Sequence, residues 1–308
     1  MPSNSLPDDV RRLLAERRAA RDARDWPRAD ALRDELVSLG WEVQDAAGRS
    51  NARPILAPEP SAADDASLLG EPAAVQASLQ LAAEDHPGDL ERCLRGLAAH
   101  PPSVSWELLV VDNGAAFDVA ALLAGAALPL EPVIVRSPAR LGWADARTLG
   151  LRRSSGEISV LLDTSLEPTG DLLGPLVAAF DDPRVGIAGG WGVTSGDGRQ
   201  FTEAPPGEVD AIEAYCLAIR REALRTVGGF DPRFRFYRNA DLDLSFAVRD
   251  AGWLAVRTGP LPVERHQHRG WEALPEAERD RLSKRNFYRF LKHWGDRRDL
   301  LLRPETDR

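Results

Sequence analysis

Cysteine is scarce in this chain, which has Cys93 and Cys216 among its 308 residues. Neither cysteine belongs to a CxxC pair or to a Cys/His cluster. A disulfide framework and a cysteine-built zinc site are therefore excluded from the expected architecture. We expect both thiols to be buried as small apolar side chains.

Long hydrophobic runs are missing as well. No stretch approaches the roughly 20 apolar residues that a membrane-spanning helix needs, and the first residues lack the apolar segment of a signal peptide. We therefore expect a cytoplasmic protein.

A basic excess is the third absence, since the formal net charge is −9. Residues 1–58 contain ten arginines and ten acidic residues, so the whole negative excess falls in the rest of the chain. Binding to a phosphate backbone normally requires a basic surface. Nucleic acid is therefore not expected as a general partner.

Helical patterns begin the chain. Residues 7–24 favour one helix, and a second is predicted from Pro27, which suits a first helical turn, to about Leu39, with Gly40 placed to end it. Residues 41–45 alternate like a short strand. Residues 50–72, rich in Pro, Ala and acids, indicate a linker between a helical module at 1–49 and a larger domain at 73–308.

Strand and helix patterns alternate in the larger domain, which predicts an α/β fold with a mostly parallel sheet covered on both faces. We predict strands at 75–82, 106–113, 131–137 and 158–164, with helices at 88–100 and 143–154. Ligands bind at the carboxyl ends of the strands in such sheets. Asp112 and Asp163 both fall at predicted strand ends.

Five ordered motifs resemble those of family 2 glycosyltransferases, and the resemblance that they carry covers about two thirds of the chain. They are ELLVVDNG (107–114), RLGWADARTLG (140–150), SVLLDTSLEP (159–168), TVGGFDPRFRFYRNADLDLSFAVRDAGW (226–253) and VERHQHRGW (263–271). The resemblance implies the GT-A fold, with a Rossmann-like, mostly parallel sheet. It also implies transfer of a sugar from a nucleotide-diphosphate donor to an acceptor, with inversion.

The resemblance also implies roles for particular residues. Asp112 would contact the donor nucleoside, Arg147 and Asp163 the donor phosphates, and Asp241 would be the general base. A divalent metal ion, Mn²⁺ or Mg²⁺, would be held by Asp163 and His266, which we favour over the neighbouring His268. Structural alternatives are a turn or strand-end cap for the aspartates, an N-cap for Asp241, and a solvated surface position for the others.

The chain departs from the family pattern at three places. Ser165 stands where the metal motif has its second carboxylate, Ala240 replaces the first acid of an acidic pair, and Ala83-Glu84-Asp85 replaces a Thr-Tyr-Asn-like set. Two functions therefore stay open: an active transferase, or a degenerate domain that binds a nucleotide or glycan without chemistry. The acceptor could be a glycan, a lipid-linked molecule or a protein.

Residues 13–45 resemble the small C-terminal module of cysteinyl-tRNA synthetases, most specifically in ADALRDEL followed by a glycine. The resemblance implies assistance in tRNA binding. The nucleotide motifs and zinc cysteines of a synthetase are missing, so aminoacylation is not expected. The alternatives are an RNA adaptor and a charged hairpin that docks a protein.

Residues 279–298 are basic with interleaved aromatics and contain both lysines of the chain, Lys284 and Lys292. Phe287, Phe290 and Trp294 fall at helical spacing. This stripe is typical of core packing. The alternative is a basic amphipathic helix in peripheral contact with an anionic membrane surface.

Overall fold

The computed structural model describes residues 7–23, 25–39, 41–46, 49–54, 67–137 and 139–303. The chain divides into two compact units, Met1–Glu59 and Pro60–Arg308.

The first unit contains a helical hairpin followed by a strand pair. Its elements are α1 (Asp8–Asp22), α2 (Trp26–Ser38), β1 (Trp41–Ala46) and β2 (Arg49–Pro54), with β1 and β2 antiparallel. Leu13, Leu32 and Leu36 are among its buried core residues. The predicted hairpin and first strand are confirmed. Gly40, expected to end the second helix, lies outside the described residues.

Strand β2 corrects one expectation, because it lies in the segment that composition indicates as linker. Each of its residues pairs with a residue of β1, from Arg49 opposite Ala46 to Pro54 opposite Trp41. Pairing with a neighbouring strand overrides the low strand propensity of a Pro- and Arg-containing segment. The rest of the expected linker, up to residue 66, lies outside the described residues.

The second unit is an α/β domain. Its strands are β3 (Val75–Ala83), β4 (Trp106–Asp112), β5 (Val133–Arg136), β6 (Gly156–Leu162), β7 (Leu166–Pro168), β8 (Val185–Gly189), β9 (Gly192–Thr194), β10 (Thr202–Glu203), β11 (Gly207–Val209), β12 (Ala211–Ile212), β13 (Cys216–Arg220), β14 (Leu254–Arg257) and β15 (Val263–Arg265). Its helices are α3 (Pro87–Ala99), α4 (Val119–Ala124), α5 (Trp143–Arg153), α6 (Leu173–Ala178), α7 (Arg221–Val227), α8 (Ala240–Asp250), α9 (Arg269–Glu272) and α10 (Glu276–Trp294), with 3-10 turns at Ala179–Asp181 and Arg298–Leu300.

The described residues form a main sheet in the order β11-β14-β8-β13-β6-β3-β4-β5. Strands β6, β3, β4 and β5 run parallel, whereas β13 is antiparallel to both of its neighbours. The predicted mostly parallel sheet is confirmed, as are its four predicted strands and two predicted helices. The antiparallel strand β13 belongs to the part of the domain for which we predict no strand.

Helices cover both faces of this sheet. Successive residues of β4 show the division, since Leu108 and Val110 join one core cluster and Leu109 and Val111 join another. Side chains of a strand alternate between faces, so an unbroken apolar run requires cover on both sides. Helices α3 and α6 pack on one face, and α5, α7 and α8 contribute to the clusters on the other.

Helix α10 packs through its aromatic stripe against α8. Phe290 is fully buried and Trp294 is 5% exposed, and both join a cluster with Phe246. The core-packing interpretation of the stripe is thus confirmed for these residues, whereas Tyr288 stays 68% exposed. Within the described part of the chain, no helix has the length and apolarity required to span a bilayer.

Candidate functional site

The carboxyl ends of β3, β4 and β6 open on a cavity of about 390 Å³, called here the first cavity. Its polar lining includes Glu84, Asp85, Asp89, Asn113, Arg140, Arg147, Asp163, His268 and Arg269. Parallel strands bring their carboxyl ends to one edge of the sheet. Residues distant in sequence therefore meet here.

Asn113 forms hydrogen bonds to the segments at Glu84 and Leu141, on one side of the first cavity. It is 1% exposed. Its Oδ1 accepts from the backbone N–H of Leu141 at 2.7 Å, and its Nδ2 donates to the carbonyl of Leu141 at 3.2 Å and to Glu84 at 3.3 Å. A buried amide with several partners holds its surroundings in one arrangement.

Two arginines of the first cavity are paired with carboxylates of the segment after β3. Arg147 donates to Glu84 at 2.7 Å, and Arg140 donates to both oxygens of Asp85 at 2.7 and 2.6 Å. The Arg147 guanidinium also lies 4.8 Å over the Trp143 ring. Burial opposes the ionisation of Glu84, but Arg147, Asn113 and Arg140 together outweigh it and lower the pKa of that carboxyl.

Arg269 completes this pattern, since its Nε lies 3.3 Å from Asp89, which also pairs with Arg92 at 3.0 Å. Arg140, Arg147 and Arg269 of the first cavity are therefore each held in an ion pair.

Asp163 follows β6 and lines the first cavity. Its Oδ1 accepts from the Ser165 backbone N–H at 2.9 Å and from the Ser165 hydroxyl at 2.5 Å, while its Oδ2 lies 3.6 Å from Nε2 of His268. Burial opposes ionisation, but the hydrogen bonds and charge of these partners prevail and lower the pKa of Asp163 to about 2. Asp163 is therefore a carboxylate throughout the physiological pH range.

His268, not His266, is the histidine beside Asp163. The chain leaves the extended conformation after Arg265, and His268 becomes the N-cap of α9, where its Nδ1 accepts from the Trp271 N–H at 3.1 Å. His268 also stacks on Tyr237, with ring centroids 4.8 Å apart. Burial lowers the pKa of His268, but the bond and charge of Asp163 outweigh it and raise that pKa overall.

His266 points to a different place. Its Nε2 lies 2.8 Å from Glu167 on β7, and the two residues form a group with Glu264 in which the ligand atoms lie within 4.8 Å of one another. The expected pairing of His266 with Asp163 is thus replaced by pairing with Glu167.

A second cavity, of about 450 Å³, lies on the other side of Asp163 and His268. Its lining includes Trp143, Arg199, Phe201, Glu213, Tyr215, Tyr237, Arg238, Asp241, Lys284 and Phe287. Five residues line both cavities: Trp143, Asp163, Ala214, Tyr237 and His268. The two cavities therefore share one wall.

Asp241 faces the second cavity from the first turn of α8. Asn239, at φ 65°, takes the left-handed conformation that an Asn tolerates, and α8 begins at the next residue. The Asp241 carboxylate accepts from the backbone N–H groups of Ala214 at 3.1 Å and Leu242 at 3.0 Å. Burial exceeds the effect of these bonds and raises the pKa of Asp241.

Asp243 turns away from the cavities. It is 6% exposed and accepts from the Trp294 indole N–H at 2.8 Å, which ties α8 to α10. Asp241 and Asp243 are therefore separated into a cavity position and a packing position, as the motif suggests.

Asp112 caps a turn, which is the structural alternative given for it above. Its carboxylate accepts from the backbone N–H of Ala115 at 3.1 Å in a turn that contains Gly114 at φ 69°. It is absent from the residues that line the two cavities described above. The neighbouring Asn113 lines the first cavity instead.

The turn at 228–231 is fixed against α5. Gly228 and Gly229 have φ of 83° and 109°, and a Cβ on Gly229 would lie 2.7 Å from the Thr148 side chain. The Thr148 hydroxyl accepts from the Phe230 N–H at 3.0 Å. Glycine is therefore required where this loop turns toward the shared wall.

A family comparison agrees with this geometry. The model for glycosyl transferase family 2 matches residues 84–244, which is more than half of the chain. The chain belongs to this family. A curated relative, the pre-mycofactocin glycosyltransferase of Mycobacterium tuberculosis, is 26% identical over 200 residues. The match covers 59% of this chain and 40% of that protein, so the chain spans well under half of the relative's length.

A solved structure confirms the GT-A fold of this family member. GalNAc-T7, solved with UDP, GalNAc and Mn²⁺, aligns with a TM-score of 0.58 at 16% identity and covers 72% of this chain and 49% of the other.

The N-terminal unit matches a separate family model, that of the cysteinyl-tRNA ligase anticodon binding domain, over residues 3–53. The cysteine–tRNA ligase of Chlamydia caviae is 49% identical over 41 residues, which are 13% of this chain and 9% of the ligase. The predicted resemblance of this segment is confirmed.

The residues around Asp163 do not fit a divalent metal ion in this arrangement. Ser165 supplies a hydroxyl where a second carboxylate would sit, and both its polar groups already bond Asp163. Both ring nitrogens of His268 already have protein partners, since Nδ1 accepts the Trp271 N–H at 3.1 Å and Nε2 lies 3.6 Å from Asp163. A neutral hydroxyl is a poor substitute for a carboxylate ligand.

Sequence reasoning underrates Glu84 and His268. A carboxylate after the first strand looks unfavourable for a phosphate ligand, and only the fold reveals that Arg147 neutralises it. The signal for His268 lies in its sequence position, directly before the short helix that it caps.

Proposed function

We propose that this domain transfers a sugar from a nucleotide diphosphate in the first cavity to an acceptor hydroxyl in the second. The shared wall carries this proposal, because it brings two cavities together within reach of Asp163 and His268. A glycosyl transfer needs such an arrangement, since donor and acceptor must meet at one carbon atom.

Asp241 is the proposed general base. It lies in the second cavity, and its raised pKa brings the carboxylate closer to the acidity that a base needs near neutral pH. Attack from the second cavity on a sugar whose leaving group lies in the first is a single displacement, which inverts the anomeric carbon. The acceptor hydroxyl belongs to a glycan, a lipid-linked molecule or a protein.

The leaving diphosphate is stabilised by groups of the chain itself. Arg147 and Arg140 exchange part of their contact with Glu84 and Asp85 for phosphate oxygens, and Asn113 keeps their loops in place. Asp163 keeps His268 oriented with its Nε2–H in the shared wall. Since the ligand set around Asp163 does not suit a metal ion, no step is assigned to one.

Incubation of the full chain with a panel of nucleotide sugars and simple acceptor glycosides tests this proposal, with EDTA or Mn²⁺ added in parallel. We expect donor consumption that persists in EDTA. An absence of both transfer and donor hydrolysis under every condition would reject the transferase function.

One observation favours binding without chemistry as the second candidate. Arg140, Arg147 and Arg269 are all committed to carboxylates, so a donor diphosphate finds little free positive charge. Under this alternative the domain binds a nucleoside or glycan of low charge. Calorimetry that compares the affinities of uridine and guanosine with those of their diphosphates distinguishes the transferase from the binding-only function. A transferase site must bind the diphosphate more tightly than the nucleoside.

For the N-terminal unit we propose an adaptor role toward RNA or a protein, supported by its match to an anticodon binding domain. Arg18, Arg28 and Arg33 are exposed on its helices. A gel-shift assay with tRNA tests the RNA version. Binding should weaken when these arginines are replaced by glutamine, and a full chain that shifts no tRNA would leave only the protein version.

A further inference from the structure

We propose that the acceptor carries a phosphate or diphosphate group, which Arg199, Arg238 and Lys284 bind at the second cavity. This inference rests on the proposed function, because it takes the second cavity as the acceptor site. It names the chemical class of the acceptor, which neither the family nor the fold specifies.

The cations of the second cavity differ from those of the first in their partners. Arg140, Arg147 and Arg269 each have a carboxylate oxygen within 3.3 Å. By contrast, in the described part of the chain no carboxylate forms an ion pair with the three cations of the second cavity. The Arg238 guanidinium lies 5.4 Å over the Trp271 ring, a contact that does not neutralise its charge. The charge of the three cations is therefore available to an anionic ligand.

Positive charge continues along the helix at the mouth of this cavity. Lys284 is one of two lysines in the chain, and the segment from Arg281 to Trp294 contains no acidic residue. Ser283 and Phe287, on the same helix α10, also line the cavity. An anion that approaches the cavity therefore meets a cationic rim, which favours its capture.

The acids in this cavity do not account for the three cations. Asp163 is paired with His268 and Ser165. Burial raises the pKa of both Asp241 and Glu213, with Arg238 opposing the shift in each case. Among the described residues, neither carboxylate forms an ion pair with any of the three cations.

The remaining lining suits the rest of a phosphorylated acceptor. Phe201, Tyr215 and Phe287 offer aromatic surface against which a sugar ring or an alkyl chain can pack. With the phosphate at the cationic rim and the ring on this aromatic surface, a hydroxyl reaches toward Asp241 deeper in the cavity. Arginine and lysine together match the several oxygens of a phosphate ester.

Calorimetry on the full chain tests the proposal with two probes, octyl phosphate below its micelle concentration and glucose 1-phosphate. The first stands for a lipid-borne acceptor and the second for a soluble sugar phosphate. Glucose and octyl glucoside serve as uncharged controls. The nucleotide that binds the first cavity is kept at saturation so that the probes report on the second.

We expect at least one probe to bind tenfold or more tightly than the uncharged controls, and the tighter of the two identifies the source of the phosphate. The triple variant Arg199→Gln, Arg238→Gln, Lys284→Gln should lose at least tenfold in probe affinity. Lys292→Gln is the matched control, because Lys292 is exposed on the same helix outside the cavity lining. It should change probe affinity less than twofold.

Equal binding of charged and uncharged probes, or probe affinity that survives the triple substitution, would overturn the inference. Nucleotide affinity provides the independent readout. If the triple variant keeps nucleotide binding but loses the probe, the inference holds. If no nucleotide binds the unaltered chain, the proposed function fails, while the dependence of probe binding on the three cations is still measured.

Discussion

The first and second cavities share a wall but differ in how their charged groups are arranged. In the first, arginines and carboxylates are paired at 2.6 to 3.3 Å. In the second, the half-buried Asp241 accepts from two backbone N–H groups, and among the described residues no ion pair joins it to the cations of the cavity. Paired charges stabilise a structure with a fixed shape, whereas separated charges leave a base and an anion site ready for a ligand.

Asp163 and Asp241 show the same difference, because their pKa values are shifted in opposite directions. Partners lower the pKa of Asp163 to about 2, whereas burial raises the pKa of Asp241. The first carboxylate therefore stabilises the folded chain as an anion, and the second reduces its stability. A residue that costs stability and faces a cavity is a candidate for function rather than for structure.

The largest expected effect comes from Asp241→Asn. Because an amide cannot accept the proton of the acceptor hydroxyl, the kcat of sugar transfer should fall by about 10²- to 10⁴-fold. Nucleotide affinity in the first cavity should stay within twofold, and the free energy of unfolding should not decrease. Initial rates and denaturant titration measure these quantities.

Asp250→Asn is the matched control, since Asp250 lies on the same helix and pairs with Arg297 away from the cavities. An Asp241 variant with unchanged kcat would show that the second cavity does not supply the base.

Asp163→Asn should reduce the free energy of unfolding by about 2 kcal/mol at pH 6, from the lowered pKa of the carboxyl. The folded pKa lies below the unfolded one, so this stabilisation is present above about pH 4 and is lost as pH falls toward 2. The charge of His268 contributes below its raised pKa and disappears as pH rises through it.

Denaturant titration of both proteins from about pH 2 to about pH 9 checks this window. Ser165→Ala removes one partner of Asp163 and should reproduce part of the loss. A stability difference that does not change with pH would mean that packing rather than charge determines the effect.

Ser165→Asp should give the first cavity the carboxylate that it lacks. A second carboxylate beside Asp163 supplies the ligands that Mn²⁺ prefers. We expect Mn²⁺ to bind the variant about tenfold or more tightly than the unaltered chain in the presence of nucleotide. Electron paramagnetic resonance of free Mn²⁺ measures this directly.

The matched control is Ser165→Asn, which has the same size without the charge and should behave like the unaltered chain. Tight Mn²⁺ binding by the unaltered chain would contradict our interpretation of the His268 hydrogen bonds.

Glu84→Gln should have the smallest effect. The substitution removes the negative partner of Arg147 and makes the first cavity resemble the second. Affinity for a nucleoside diphosphate should rise about threefold at low salt, because the carboxylate that competes with phosphate for Arg147 is removed. Calorimetry at two salt concentrations checks the change. Weaker binding would indicate that Glu84 contacts the donor itself.

The sequence predicted the parallel half of the sheet because its strands are buried apolar runs separated by amphipathic helices. It also predicted separate roles for Asp163, at the donor, and for Asp241, as the general base, since each residue lies in its own motif. It did not predict β13, whose CLAIR segment precedes a helix without a turn signal. It also favoured His266 over His268 as the partner of Asp163, because that choice depends on where the chain leaves the strand.

The sequence by itself determined the family, the strand ends on which polar residues lie, and the missing second carboxylate at Ser165. These features are local, since each depends on a residue and its immediate neighbours. Only the tertiary structure decided the pairing of Glu84 with Arg147, the choice of His268, and the separation of charges between two cavities. Ion pairs and cavities join residues from distant segments, and their partners are set by how strands and helices pack.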